Sequence, residues 1–423
     1  MTSRWFWIAI QLTRRIWVRA SLFSVLAIVT ALIGIALSPY IPSDLPAKIG
    51  ADAVDHILGI IASSMLTVTT FSLSVMVSAY SAATSNVTPR ATQLVMEDST
   101  TQNVLSTFVG SFLFSLVGII VLSTGAYGAQ GRVVLFAATI AVIVLIVATL
   151  LRWIDHLSRL GRVIETTARV EQAASKAMRH RHQNPYMGGR PLDGSITISP
   201  QARPVHSSDI GYVQHVDMAE LSNLVGEGDG RIYLNATPGE FVDPTQPLAW
   251  ALGIESDDTD KAVRKCFSIA DTRSFDQDPR FGASVLAEIA SRALSPAIND
   301  PGTAIDVIGR AVRILAIWVE PVEEPEPSYP NVFVPALELG DIFDDLFTPI
   351  ARDGASVVEI GLRLQKAFLM LSRFGKGKFS TEARRHATEA LQRAEHALPI
   401  EADKVRVRSA ADQVLQQDYR LNR

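Results

Sequence analysis

The chain has 423 residues, of which 48% are hydrophobic and 19% are charged, and its formal net charge is −4. Residues 1–151 hold seven of the 39 Lys and Arg and five of the 43 Asp and Glu, a net charge of +2 against −6 for the remainder. A charge-poor block followed by a charged block is typical of a membrane part followed by a soluble part. The acidic soluble part argues against a nucleic-acid surface, which would show clustered Lys and Arg. The single cysteine, Cys266, excludes an intramolecular disulfide.

Four apolar runs in the first third predict four transmembrane helices. A helix needs roughly 20 apolar residues to cross the hydrocarbon core of a bilayer. The runs extend from Ala20 to Ser43, from Ile57 to Pro89, from Ser99 to Gly131 and from Val133 to Leu151. We therefore expect a cytoplasmic or interfacial segment over residues 1–19 and a four-helix transmembrane domain over residues 20–151.

The basic residues that flank these runs predict their orientation. Four Arg precede the first run, and Arg152, Arg159, Arg162 and Arg169 follow the fourth. The connections on the other side hold only Lys48 and Arg132. An excess of Lys and Arg marks the cytoplasmic side. The sequence therefore predicts a multi-pass protein with both termini in the cytoplasm.

The second run carries hydroxyl side chains at steps of three or four along its whole length. At 100° per residue they fall within an arc of about 80° on one face of the helix. They are Ser63, Thr67, Thr70, Ser74, Ser78, Ser81, Ser85 and Thr88. Such a face can serve helix packing with hydrogen bonds between helices, line a water-filled path, or consist of hydroxyls bonded back to their own helix.

Two features favour the water-filled path. The row is long enough to cross the entire core, whereas a packing motif need only be local. The four runs contain no Asp, Glu, Lys, Arg or His, although proton relays and ion-coupled carriers place such groups near the midplane. Because four helices hardly enclose a pore, we expect a homo-oligomeric, channel-like protein with passive permeation. The alternative is a membrane-anchored binding or regulatory protein that acts through its cytoplasmic domain.

The rest of the chain predicts a cytoplasmic α+β region, so the fold class is a mainly α membrane protein. A helix that continues the fourth span, followed by a linker, is expected over residues 152–193. Arg181 lies between His180 and His182, and we interpret this segment as a solvated helix end because the spacing makes a poor metal site. A small β-rich module is expected over residues 194–258, with strands in SITIS, IGYVQHVD, GRIYLNAT and PLAWALGIE. A helical domain follows over 259–423, with helices over 259–271, 281–294, 302–319, 339–372, 380–396 and near 400–420.

Charged residues crowd two loops of this helical domain. They are Arg273, Asp276, Asp278, Arg280, Arg292, Asn299 and Asp300. Asp278 and Asp300 each precede a proline, as N-cap residues of helices do. The functional interpretation is a contact with an anion, an ion or a partner at these helix N-termini. The spacings of metalloproteases, P-loops, serine hydrolases and EF-hands are all missing from the sequence, so we expect no enzyme activity, no cofactor and no metal.

Several segments resemble the uncharacterised bacterial membrane-protein family called domain of unknown function 2254. They are SSMLTVTTFSLSVMVSAYSAATSNVTPRATQ (63–93), GYVQHVD (211–217), PGEFV (238–242), FDQDPRFG (275–282) and ALSPAINDPGTA (293–304). The resemblance spans nearly the whole chain and implies a location in the bacterial inner (plasma) membrane. It supplies no activity. The partners we expect are the lipid bilayer, further copies of the chain, and a small ion or a cytoplasmic protein.

Overall fold

A computed structural model describes residues 53–96, 98–124, 129–226, 229–254, 259–322 and 326–416, together with five helical positions at Ser21, Val25, Ile28, Val29 and Ile33. The described residues divide into two units. The N-terminal unit comprises residues up to 86 and residues 92–165. The C-terminal unit comprises residues 87–91 and the chain from 166 onward. The described residues are mostly helical.

The N-terminal unit is built from long apolar helices. They are α1 (Val54–Asn86), α3 (Ser99–Ser123) and α4 (Ala129–Leu157). The short α2 (Pro89–Met96) lies between the first two in sequence, and its first three residues belong to the C-terminal unit. Each long helix is long and apolar enough to cross a membrane. The second, third and fourth predicted spans are therefore present as helices. The first predicted span and the segment over residues 1–19 lie outside the described residues, apart from the five positions above.

One face of α1 packs against α3 and α4. Leu58, Ile61 and Met65 on this face are buried, together with Phe108 of α3 and Trp153 of α4. A Cβ atom at Gly118 of α3 would lie 2.9 Å from the side chain of Leu58, so glycine allows these two helices to approach closely. This tight contact is the ordinary use of small residues between membrane helices.

The fourth span does not continue as one helix into the next segment. α4 ends at Leu157, and α5 begins at Val163 and runs to Gln183. Gly161 in the connection has a φ of +79°, a backbone conformation that side chains with a Cβ rarely adopt. The same glycine lies against the backbone of Ala79 on α1. The chain turns here because glycine permits both the left-handed conformation and the close approach.

Two sheets form the β part of the C-terminal unit. The five-stranded sheet has the order β1–β8–β4–β6–β2, in which β8 pairs in parallel with β1 and β4 and the other pairs are antiparallel. The three-stranded antiparallel sheet has the order β5–β3–β7. The strands are β1 (Arg190–Leu192), β2 (Arg203–His206), β3 (Gly211–Val216), β4 (Arg231–Leu234), β5 (Phe241–Val242), β6 (Pro247–Leu252), β7 (Phe267–Ala270) and β8 (Val332–Pro335).

The strands differ in part from the sequence-based expectation. β3, β4 and β6 lie within the predicted runs, whereas SITIS (195–199) forms no strand. The predicted helix over 259–271 is wrong in its second half, because α7 (Thr259–Lys265) ends and β7 follows. β1, β7 and β8 lie outside residues 194–258, so both sheets draw on strands from beyond the predicted module. Buried Val216, Ile232 and Val334 belong to the apolar cluster between these strands and α6 (Met218–Val225).

Helices form the remainder of the C-terminal unit. They are α8 (Pro279–Ala293), α9 (Pro301–Ala316), α10 (Leu339–Asp353), α11 (Val358–Arg373), α12 (Ser380–Ala397) and α13 (Glu401–Leu415). Short 3₁₀ turns follow α9 (Ile317–Val319) and α11 (Phe374–Gly377). The single predicted helix over 339–372 is wrong, because the chain breaks between Asp353 and Val358. α11 packs against α9, α10, α12 and α13 and so holds the centre of this layer.

Candidate functional site

The hydroxyl row lies on an exposed face of α1. Seven of its eight members are exposed: Ser63, Thr67, Thr70, Ser74, Ser78, Ser81 and Ser85. The eighth, Thr88, is buried beyond the end of α1 and donates a hydrogen bond of 2.9 Å to Glu288 Oε2. From Ser63 to Ser85 a helix rises about 33 Å, which is close to the roughly 30 Å thickness of the hydrocarbon core.

Most hydroxyls of this row bond back to their own helix. Thr67 donates to the carbonyl of Ser63 at 3.0 Å, and Ser74 donates to that of Thr70 at 3.1 Å. Ser63, Thr70, Ser78 and Ser85 make equivalent bonds three or four residues back. Because the protons of Ser63, Thr67, Thr70, Ser74 and Ser78 point at their own helix, the oxygen lone pairs of these hydroxyls remain available on the outer surface.

The row lies almost opposite the packed face of α1. At 100° per residue its centre is roughly 180° away from the centre of the face that contains Leu58, Ile61 and Met65. A different hydroxyl serves helix packing: the buried Ser72 accepts a hydrogen bond of 2.9 Å from Trp153 Nε1 of α4. Packing inside the described part of this unit therefore does not account for the exposed row.

The predicted charged cluster is not one site. Asp278 precedes α8, whereas Arg292, Asn299 and Asp300 lie around its other end. A helix of 15 residues separates these ends by about 22 Å. Asn299 adopts a φ of +50°, and the exposed Asp300 caps α9 through the backbone N–H of Thr303 at 3.1 Å. The N-cap interpretation of Asp278 and Asp300 is thereby confirmed.

The Asp278 carboxylate accepts four hydrogen bonds. It accepts hydrogen bonds from Arg273 at 2.7 and 3.0 Å and from the backbone N–H groups of Arg280 and Phe281. Burial raises the pKa of Asp278, while the bonds from Arg273 act in the opposite direction. The carboxylate already occupies the N-terminus of α8, so that helix end has no place for an external anion.

Gly239 allows a turn to approach this carboxylate. Its φ is +101°, and a Cβ atom at this position would collide with the carboxyl group of Asp278. Its backbone N–H donates to the carbonyl of Val213 at 2.8 Å. The segments PGEFV (238–242) and FDQDPRFG (275–282), both of which carry the family resemblance, therefore meet at this point.

A cavity of about 400 Å³ opens beside these two segments. Its wall includes Arg273, Asp278 and Arg280 from the predicted cluster, together with Glu240 and Arg181. Arg280 is committed elsewhere, because its guanidinium pairs with Asp345 at 2.7 Å and with Asp341 at 2.5 Å on α10. Asp276 lies in the loop before α8 but does not line the cavity.

Arg181 is the residue that the sequence interpretation missed. The predicted helix end does fall here, since α5 ends at Gln183, but the Arg181 side chain is buried and only 5% of the residue is exposed. Within the described part of the chain its Nε atom has no hydrogen-bond partner, and Nη2 makes a long contact of 3.5 Å with the carbonyl of Pro335. Burial lowers the pKa of Arg181 to about 10. A polar residue between two histidines gives no sequence signal of such burial.

Among the described residues, no group of His, Cys, Asp and Glu could hold a metal ion. Cys266 is buried and donates to the carbonyl of Ala262. The groups that can bind a solute or a ligand are therefore the exposed hydroxyl oxygens of α1 and the charged side chains on the wall of the cavity.

Comparison with known proteins places this architecture in a family. The family model described as "Predicted membrane protein (DUF2254)" matches residues 13–370. An uncharacterised protein of Mycobacterium bovis and one of Mycobacterium tuberculosis are each 25% identical to the chain over 261 residues, which is 60% of this chain and 50% of each relative. The matched region thus spans about half the length of these curated relatives. No solved structure matches the chain.

Proposed function

We propose that this chain, which belongs to the DUF2254 family of predicted membrane proteins, is an oligomeric, channel-like protein of the bacterial inner membrane. Both termini are on the cytoplasmic side in this proposal. Small polar solutes or ions pass down their gradients along the hydroxyl face of α1. The protein has no catalytic role.

The observation that carries the proposal is the exposed hydroxyl row on the side of α1 that faces away from α3 and α4. A face of lipid-exposed residues is normally apolar, as the exposed Leu66, Phe71 and Leu73 of the same helix are. A continuous polar row about as long as the hydrocarbon core is instead suited to contact with water.

The direction of the hydroxyl bonds suggests which solutes the face favours. Ser63, Thr67, Thr70, Ser74 and Ser78 donate their protons to backbone carbonyls of α1. Their outward lone pairs can coordinate cations or accept hydrogen bonds from water, whereas an anion would need donors. A path lined in this way favours cations over anions.

Passive permeation follows from the composition of the spans. The sequence between Ile57 and Ser85, like that of α3, contains no Asp, Glu, Lys, Arg or His. Coupled carriers and pumps use such groups near the midplane. One hydroxyl row per chain then requires several copies around an axis, so the proposal includes a homo-oligomer.

Cysteine accessibility tests the proposal. In a Cys266→Ala background the only thiol is the introduced one, so Ser74→Cys and Leu73→Cys can be compared at one depth on faces about 100° apart. A charged, membrane-impermeant thiol reagent should modify Ser74→Cys in the membrane-embedded protein and leave Leu73→Cys unmodified. Protection of both positions would refute a water-filled path along this face.

A membrane-anchored binding or regulatory protein is the second candidate function. The cavity beside Arg181 and Glu240 favours it, because concave sites with a few polar groups are where proteins bind small ligands. If the protein acts in this way, the hydroxyl row takes no part in ligand binding or regulation. Ser74→Leu should then leave ligand binding unchanged, whereas in a channel-like protein it should reduce permeation.

A further inference from the structure

Arg181 carries a buried charge that has no partner at contact distance among the described residues. Its pKa, although lowered to about 10 by burial, leaves it protonated near neutral pH. Among the described residues it forms no ion pair within 4 Å. Buried charges in proteins are paired or bound to a counter-ion, because removing an unpaired charge from water is strongly unfavourable. A water molecule can satisfy the Nε–H but cannot neutralise the charge.

The nearest carboxylates are engaged elsewhere. Glu240 and Asp278 are the acidic groups whose charge acts most strongly on Arg181. Asp278 is held by Arg273 and by the first turn of α8. Glu240 accepts a hydrogen bond of 2.7 Å from Thr237 Oγ1. Neither makes a hydrogen bond to Arg181, so the contact position on the guanidinium is left to another group.

The space for that group is present. Arg181 lines the cavity of about 400 Å³ and also a second cavity of about 180 Å³, and Gln277 lies on the wall of both. Volumes of this order hold small organic molecules. On the wall of the larger cavity, Asp341 is paired with Arg280, whereas Glu240 and Glu338 form no ion pair with a described residue. A purely anionic ligand would meet these carboxylates, whereas a ligand that also carries an ammonium group would be attracted to them.

We infer that this cavity is a binding site for a small zwitterionic molecule whose phosphate or carboxylate group contacts the Arg181 guanidinium and whose ammonium group faces Glu240 and Glu338. The inference goes beyond the proposed permeation path and does not depend on it. Sequence motifs did not indicate the site, since Arg181 is a single buried residue at a helix end.

Ligand-dependent thermal stabilisation of the purified full-length protein in detergent tests this inference. The probes are O-phosphoethanolamine and β-alanine, with inorganic phosphate and acetate as the corresponding simple anions, all at one ionic strength. A molecule that binds only the folded state raises its melting temperature in a saturable way. We expect a saturable increase with at least one zwitterion and a weaker effect from its simple anion. Stronger stabilisation by O-phosphoethanolamine indicates a phosphate ligand, and stronger stabilisation by β-alanine indicates a carboxylate ligand.

Two variants and a control assign the effect to the cavity. Arg181→Gln should weaken binding roughly ten- to hundred-fold, as expected for the loss of a charged hydrogen-bonded contact. Ala336→Phe places a ring at the exposed edge of the cavity wall without altering Arg181, and should also weaken binding. Arg190→Gln removes an exposed arginine of β1 and should leave binding unchanged.

Three results would overturn the inference: no saturable stabilisation by either zwitterion beyond that of its simple anion, equal stabilisation of wild type and Arg181→Gln, or an equal loss in Arg190→Gln. If Arg181→Gln does not fold, Ala336→Phe is the test: weaker stabilisation by the ligand in this variant indicates binding in the cavity, and unchanged stabilisation indicates a general effect of ions on the protein surface. Because this assay reports binding in the C-terminal unit, its failure is distinct from a failure of the thiol-accessibility test on α1.

Discussion

At the scale of single residues, Asp278 combines two tasks that are usually separate. It caps α8 through two backbone N–H groups and neutralises Arg273, which is one-fifth exposed. Asp300 performs only the first task, at an exposed position before α9. The same Asp-Pro pattern in the sequence therefore covers two different energetic roles. Only burial distinguishes them, and burial depends on which distant segments pack against the cap.

Asp278→Asn should destabilise the C-terminal unit more than Asp300→Asn does. Asparagine caps helices about as well as aspartate, so both substitutions keep a cap acceptor. At position 278 the change also removes the charge that pairs with Arg273, which should cost roughly 2–4 kcal/mol. Chemical denaturation of the two variants measures the difference. Equal effects would show that the pair with Arg273 contributes nothing.

His386 makes the stability of the C-terminal unit dependent on pH. The imidazole is buried against the rings of Phe343, Phe347 and Phe368, and one of its nitrogens lies 3.3 Å from Asp344 Oδ1. Burial and then the neighbouring Arg385 lower the pKa of His386. The unfolded chain therefore binds a proton more readily than the folded chain. The stability due to neutral His386 is complete above about pH 6.5 and decreases as the pH falls through the lowered pKa.

His386→Gln should reduce this acid sensitivity. We expect the melting temperature to fall less between about pH 7.5 and about pH 5 in this variant than in the wild type. His396→Gln, at an exposed position of the same helix α12, is the matched control. An unchanged pH dependence in His386→Gln would assign the acid sensitivity to other groups.

At the scale of elements, the long apolar helices could be predicted from sequence and the short strands could not. About 20 apolar residues without charge is a strong local signal, and α1, α3 and α4 follow it. β7 and β8 are four residues long, and they exist because each pairs with a strand that is distant in sequence. The break between α10 and α11 depends on Gly354, which lies against Ile360 after the turn. Arg181 is buried for the same non-local reason.

Gly161→Ala should destabilise the turn between α4 and α5. The added Cβ would be held in a left-handed conformation, about 1–2 kcal/mol unfavourable, and would lie 3.2–3.3 Å from the backbone of Ala79. Gly59→Ala on α1 is the control, because nothing lies within 4 Å of its Cβ position and alanine favours helix. The thermal stability of the full-length protein should fall in the first variant only. Equal stability of the two variants would contradict a glycine-dependent turn.

At the scale of the whole molecule, two units carry two different kinds of polar surface. The N-terminal unit has long apolar helices and one exposed hydroxyl row. The C-terminal unit has the charged cavity beside Arg181. Permeation depends on the first surface and ligand binding on the second. A substitution on α1 should therefore reduce permeation without changing ligand binding, and a substitution of Arg181 should do the reverse.

Potassium efflux from vesicles reconstituted with the full-length protein measures permeation along α1. We expect efflux faster than from protein-free vesicles. Ser74→Leu should slow it several-fold, because a branched apolar side chain interrupts the hydroxyl row. Leu73→Val, a neighbouring change on a different face of α1, should leave it unchanged. Efflux no faster than in protein-free vesicles, or equal efflux in wild type and Ser74→Leu, would contradict permeation along this face.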